Sequence, residues 1–152
     1  IVTVDEGEIA EAILWLIERV KTVAEGAGAS PVAALMNGKI SGIHNKNVVA
    51  LISGGNIDVN NMTRIINSGL TKSWRKAYIS TIIPDKPGEL VKLLSIVADS
   101  GANILSVIHE RSQHGVGIGY TAVTLELETA NEKHVERLVE TLKDDRYQVT
   151  LK

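Results

Sequence analysis

Cysteine and phenylalanine are both absent from this chain of 152 residues, proline occurs three times, and aromatic residues make up 3%. Without cysteine there are no disulfides and no thiolate zinc sites. The four histidines, His44, His109, His114 and His134, lack the i, i+4 spacing of a helical metal pair, so no metal site is expected. No basic run is present, and a net charge of -2 with mixed signs argues against a nucleic-acid partner. The longest helical apolar patch, Ile9 to Val20, is interrupted by Glu11, Glu18 and Arg19, so no membrane span is expected. No signal peptide opens the chain, and a cytoplasmic protein is the expectation. Because the first residue is Ile1 and not methionine, the chain is expected to be the end of something longer.

What the chain does contain is 44% hydrophobic residues, enough to build one globular domain or two small ones. The organising stretch is Val48 to Asn56. Its apolar run, Val48 to Ile52, predicts a strand buried on both faces that stops on Ser53-Gly54-Gly55-Asn56. Two glycines allow a sharp turn and close backbone approach at a strand's carboxyl end, where open α/β sheets bind ligands.

Three helices are predicted around that strand. The first runs from about Asp5 to Ala24, opened by a capping box of Thr3 and Glu6, and its Trp15 is expected in the core or at a subunit contact. Glu25-Gly26-Ala27-Gly28-Ala29 reads as an acidic loop. Ser30 as N-cap and Pro31 at the first position start the second helix, ended by Asn37-Gly38. The third spans Ile57 to Ile66, with Gly69 just past its end. One doubly buried strand among three helices needs partner strands from outside the chain.

The periodicity changes at about Lys72 to Lys76, which sets two domains, residues 1–74 and 75–152. In the second, strand Tyr78–Ile83, helix Gly88–Ser100, strand Ile104–Arg111, a turn at Gln113–Gly117, strand Tyr120–Leu127, helix Glu132–Leu142 and strand Tyr147–Leu151 follow in order. That order, βαββαβ, is the ferredoxin-like split-βαβ arrangement, an antiparallel sheet with both helices on one face.

Glu25-Gly26-Ala27-Gly28-Ala29, Ser53-Gly54-Gly55-Asn56 and Asp85-Lys86-Pro87-Gly88-Glu89-Leu90, in that order, resemble the carboxyl-terminal part of a threonine dehydratase (threonine ammonia-lyase) with an ACT regulatory domain. The resemblance covers essentially the whole chain. It implies an α/β fold: a partial three-layer segment, helix-helix-strand-helix, of a pyridoxal-phosphate enzyme of the tryptophan-synthase-β class, then the ACT unit. It also implies a parent enzyme that converts threonine to 2-oxobutanoate and ammonia. Ser53 would then be the partner of the cofactor's pyridine nitrogen, a neutral hydroxyl in place of a protonating acid. Gly54 and Gly55 would admit the ring, Asn56 would hold the turn, and Glu25 would be the acid of the neighbouring loop.

The family's Schiff-base lysine lies in a Ser-Phe-Lys-x-Arg-Gly segment, and its phosphate cradle is a run of three or four glycines. Neither is present, so these residues alone are expected to be inactive. An amino-acid effector, isoleucine or valine, is expected on Asp85, Lys86, Pro87 and Gly88, its carboxylate on the amides of a helix start, with Asn103 reaching in across a contact between copies. That contact is expected through edge-strand pairing around Ile104 to Ile108. A stand-alone, dimerising amino-acid-binding module without catalysis is the competing reading, and a tail of a serine racemase-like enzyme is a third.

Overall fold

The computed structural model describes residues 1–111 and 115–151, in two units, Ile1–Ser73 and Trp74–Lys152. The turn expected over Gln113–Gly117 falls partly outside the described residues.

In the first unit, α1 (Glu6–Trp15) runs on through a π-helical turn, Leu16–Val20. It packs against α2 (Gly26–Met36) and α3 (Val59–Lys72). The capping box is real but sits two residues later than expected. Asp5 Oδ1 accepts from the Glu8 N–H at 2.8 Å, and Glu8 Oε2 accepts from the Asp5 N–H at 2.9 Å. Glu8 is buried and also meets Lys39 Nζ at 2.8 Å, and Lys39 holds its carboxyl below the ordinary range. Trp15 is 42% exposed, so it is not a core residue. The core is built of small side chains, Ala12, Ala24, Ala29 and Ala33, around Ile13 and Leu16.

The expected second helix begins a turn too late. Glu25 is its N-cap, Pro31 lies inside it, and Ser30 caps nothing; its hydroxyl donates back to the Gly26 carbonyl at 2.9 Å. Packing overrides the low helix propensity of glycine here, since Gly28, Ala29 and Ala33 are buried. Gly69 lies within α3 and not past it. It lets α3 approach α1 so closely that a Cβ there would meet the Ala10 carbonyl oxygen at 2.9 Å.

The strand expected at Val48 to Ile52 is not formed, and the segment is extended but unpaired. Only one side is covered: Ala50 and Ile52 pack on the helical core, while Val49 and Leu51 are 92% and 75% exposed. No strand of the first unit lies beside it among the described residues, so the second face that a doubly buried strand needs is missing.

The second unit has the order β1 (Lys76–Pro84), α4 (Glu89–Asp99), β2 (Asn103–Glu110), β3 (Tyr120–Glu128), α5 (Glu132–Asp144), β4 (Val149–Leu151). The sheet is antiparallel throughout, in the order β2-β3-β1-β4. This is the ferredoxin-like arrangement read from the sequence. Alternation puts Ala77, Ile79, Thr81 and Ile83 of β1 on the buried face, with Leu93 and Val97 of α4 and Leu138 and Leu142 of α5 in the same core. His134 ties α5 to the end of α4, since its Nε2 lies 3.0 Å from the Ser100 carbonyl oxygen and its Nδ1 accepts from the Ala130 N–H at 3.1 Å. Among the described residues no helix is long and apolar enough to cross a membrane.

Candidate functional site

The first candidate site lies in the first unit, where the structure brings Glu25 and the Ser53–Gly55 turn together. The Glu25 N–H donates to the Gly54 carbonyl at 3.2 Å. Gly54 has φ +80°, and a Cβ on it would stand 2.5 Å from Glu25 Oε1. Gly28 touches the same turn from α2, and a Cβ there would overlap the Ser53 carbonyl oxygen at 2.0 Å. Two glycines and an acid thus fit around each other with no space for a methyl group. Ser53 to Asn56 are exposed, and the turn at Asn56 is closed by the Ile57 N–H on the Gly55 carbonyl at 3.0 Å, not by the asparagine side chain. Gly28 is the residue that sequence reasoning passed over as a site former. Its signal was the glycine pair flanking Ala27, which read as loop.

A second site lies at the start of α4. The Asp85 N–H donates to the Gly119 carbonyl at 2.8 Å and the Lys86 N–H to the Pro84 carbonyl at 2.9 Å, which fixes the loop. Gly88 takes φ +91° as N-cap, and no side chain caps the helix, so its first amides keep no side-chain acceptor. A cavity of about 380 Å³ opens there, bordered by Asp85, Lys86, Pro87 and Gly88 and also by His109 and Arg111. Arg111 Nε donates to Asp85 Oδ2 at 2.9 Å. That guanidinium, with a smaller contribution from the charge of His109, holds the Asp85 carboxyl below its ordinary range. Asp85 is therefore already partnered, which the sequence did not reveal. Arg111 could have been found from topology, because β1 and β2 both pair with β3 and finish at the same end of the sheet once the strand order is known.

Asn103 stands apart from this cavity. It pairs with Glu128 across β2 and β3, at the far end of the sheet from Pro84 and Tyr120, and its Nδ2 donates to Glu128 Oε2 at 3.2 Å. It does lie on β2, an edge strand whose Leu105, Val107 and Ile108 are 49%, 38% and 51% exposed. Among the described residues no group of three or more potential metal ligands occurs.

The ACT domain family matches residues 77–146. An L-threonine ammonia-lyase of Thermotoga maritima is 54% identical over 150 residues, 99% of this chain and 37% of that protein. Another, of Geobacter sulfurreducens, is 39% identical over 98% of this chain and 37% of its own length. A prephenate dehydratase structure from Streptococcus mutans matches with a TM-score of 0.43 and 25% identity, over 50% of this chain and 40% of its own. The chain thus spans little more than a third of the length of the lyases that it matches. The second unit carries an ACT domain, and over nearly its whole length the chain is similar to L-threonine ammonia-lyases.

Proposed function

We propose that this chain is the cofactor-ring and regulatory portion of a pyridoxal-phosphate-dependent threonine ammonia-lyase, acting in cytoplasmic amino-acid metabolism. The observation that carries the reading is the interlock of Glu25, Gly28 and Gly54 around an exposed Ser53. A flat ring could approach that hydroxyl, because both residues after it are glycines with no Cβ to stand in the way. The residues thus fit the group. Ser53 would hold the pyridine nitrogen, with Gly54 and Gly55 against the ring edge and Glu25 behind the turn. When bound, the cofactor supplies an electron sink for the substrate's α-carbon. A hydroxyl, unlike an aspartate, satisfies the ring nitrogen without giving it a full proton, which favours quick elimination over slower side reactions. In a protein of the relatives' length, Ser53→Ala should keep the cofactor's absorbance and slow 2-oxobutanoate release by about ten- to a hundredfold, the worth of roughly 1.5 to 3 kcal/mol. Unchanged turnover would remove Ser53 from this role.

The ACT unit in this reading senses an amino acid, isoleucine or valine, at the Asp85–Gly88 loop. Its ammonium would compete with Arg111 for Asp85, and its carboxylate would meet the uncapped amides of α4. Copies would pair through β2, and the partner copy's Asn103 would then serve the loop from which one copy's own Asn103 stands apart. Because Gly88 needs its left-handed φ, Asp85→Asn is a cleaner probe than any change at Gly88. Calorimetry should show branched-chain amino acids binding the full chain and at least about tenfold weaker binding after Asp85→Asn. Equal affinity for both would refute the site.

A further inference from the structure

We propose a second small-molecule site in the ACT unit, at the opposite sheet edge from β2, that takes a free amino acid with a large apolar side chain. β4 covers β1 only from Ile79 to Thr81, so among the described residues the end of β1 from Ile82 to Pro84 has no strand on that side. A cavity of about 810 Å³ lies along the uncovered stretch, more than twice the 380 Å³ beside the Asp85 loop. Ile82, Ile96 and Tyr120 give it an apolar wall, and Ile82 and Tyr120 are 44% and 51% exposed.

The charged groups say what kind of ligand would enter. Glu89 and Lys92 are paired with each other at 2.7 Å, and neither has a charge to spare. Asp145 and Arg146 also line the cavity, and among the described residues neither has an ion-pair partner. A carboxylate and a guanidinium from adjacent lining residues complement a zwitterion, with the ligand carboxylate on Arg146 and its ammonium on Asp145.

Arg146 is also an unexpected residue for its place. It closes α5 in a Schellman motif, its N–H on the Lys143 carbonyl and the Tyr147 N–H on the Leu142 carbonyl, both at 2.9 Å. The same two bonds close α2, from Gly38 to Leu35 and from Lys39 to Ala34, and there the left-handed position is glycine, as it is at Gly101 after α4. At Arg146, with φ +68°, the chain accepts a side chain where glycine would be easier. Arg146 lines the cavity, which gives that choice a use.

The substitution Arg146→Gly tests this without endangering the fold, since glycine suits the backbone there. Calorimetry would compare phenylalanine and leucine, with phenylalaninamide as a probe lacking the carboxylate, on the full chain and its variants. The expected result is binding of phenylalanine that weakens at least about tenfold in Arg146→Gly and with the amide, while the melting temperature of the variant is unchanged or raised. Asp85→Asn should leave this binding intact, which separates it from the effector loop. No binding to the wild-type chain at millimolar concentration, equal binding to Arg146→Gly, or loss on Asp85→Asn in place of Arg146→Gly would each overturn the proposal.

Discussion

Gly28→Ala offers the sharpest test of how the first unit holds its turn. A methyl group at that position would stand 2.0 Å from the Ser53 carbonyl oxygen, 2.9 Å from the carbon and 3.1 Å from the Gly54 oxygen. All three obstacles are main chain, so no side chain can rotate away, and α2 and the turn must part by more than about 1 Å to restore van der Waals contact. Such overpacking costs about 1 to 3 kcal/mol, against which alanine in a helix regains roughly 0.5 to 1 kcal/mol over glycine. A net loss of up to about 2.5 kcal/mol follows, near 1 kcal/mol at mid-range, which is roughly 4 to 8 °C in melting temperature for a unit of this size.

Gly26 provides the control two residues away. A Cβ there would meet only Ile9 Cγ2 at 3.6 Å, an ordinary contact, so Gly26→Ala should be neutral or slightly stabilising. Thermal denaturation followed by circular dichroism would compare the two. In a protein of the relatives' length, moving Ser53 by about 1 Å should also slow threonine turnover by about a hundredfold in Gly28→Ala alone. If Gly28→Ala melts with or above Gly26→Ala, the close approach is not a constraint and the argument fails.

Glu8 should make stability depend on acid pH. Its carboxyl is held low, first by Lys39 and then by the Asp5 N–H, so the contribution is complete above its unfolded value of about 4.3 and is lost as pH falls through the lowered folded value. Melting curves across that acid range should slope less in Glu8→Gln than in the wild type, and parallel slopes would show that the pair is energetically silent. Thr81→Val should stabilise the second unit by about 1 kcal/mol, because among the described residues the buried Thr81 Oγ1 has no hydrogen-bond partner and valine keeps the branched shape. Urea unfolding would measure this; a loss of stability would mean that the hydroxyl has a partner in solution.

The second unit was legible because its elements are local and complete. Period-two alternation in Lys76–Pro84, helical spacing of Leu90, Leu93, Leu94 and Val97, and the stop at Gly101 each agree with the packing that they produce. The first unit was legible only where chemistry is short-range: the third helix, expected from Ile57, starts within two residues of that point, where the Asp58 side chain caps α3 on the Asn60 and Asn61 N–H groups. Its misplaced boundaries of α2 and α3 share one cause. Gly26, Gly28 and Gly69 resemble breakers in sequence, yet Gly28 and Gly69 are the places where main chains touch, and a contact between residues as distant as 10 and 69 leaves no local mark. The ion pair of Asp85 with Arg111 was hidden in the same way, since it depends on strand order and not on spacing.

The two edges of the ACT sheet are managed differently, and that difference assigns their uses. β2 offers eight residues of edge with three exposed aliphatic side chains, a surface that in water favours another strand, and its charged residues sit at the end, at Glu110. β4 is three residues long, and beyond it β1 ends in Pro84, which has no N–H to donate to an incoming strand. In the proposed pairing a second copy would be drawn to β2 and discouraged at β4. Space left beside β1 would then belong to molecules too small to form a ladder, so one short strand and one proline would keep open, in every copy of an assembly built through β2, the cavity that Arg146 lines.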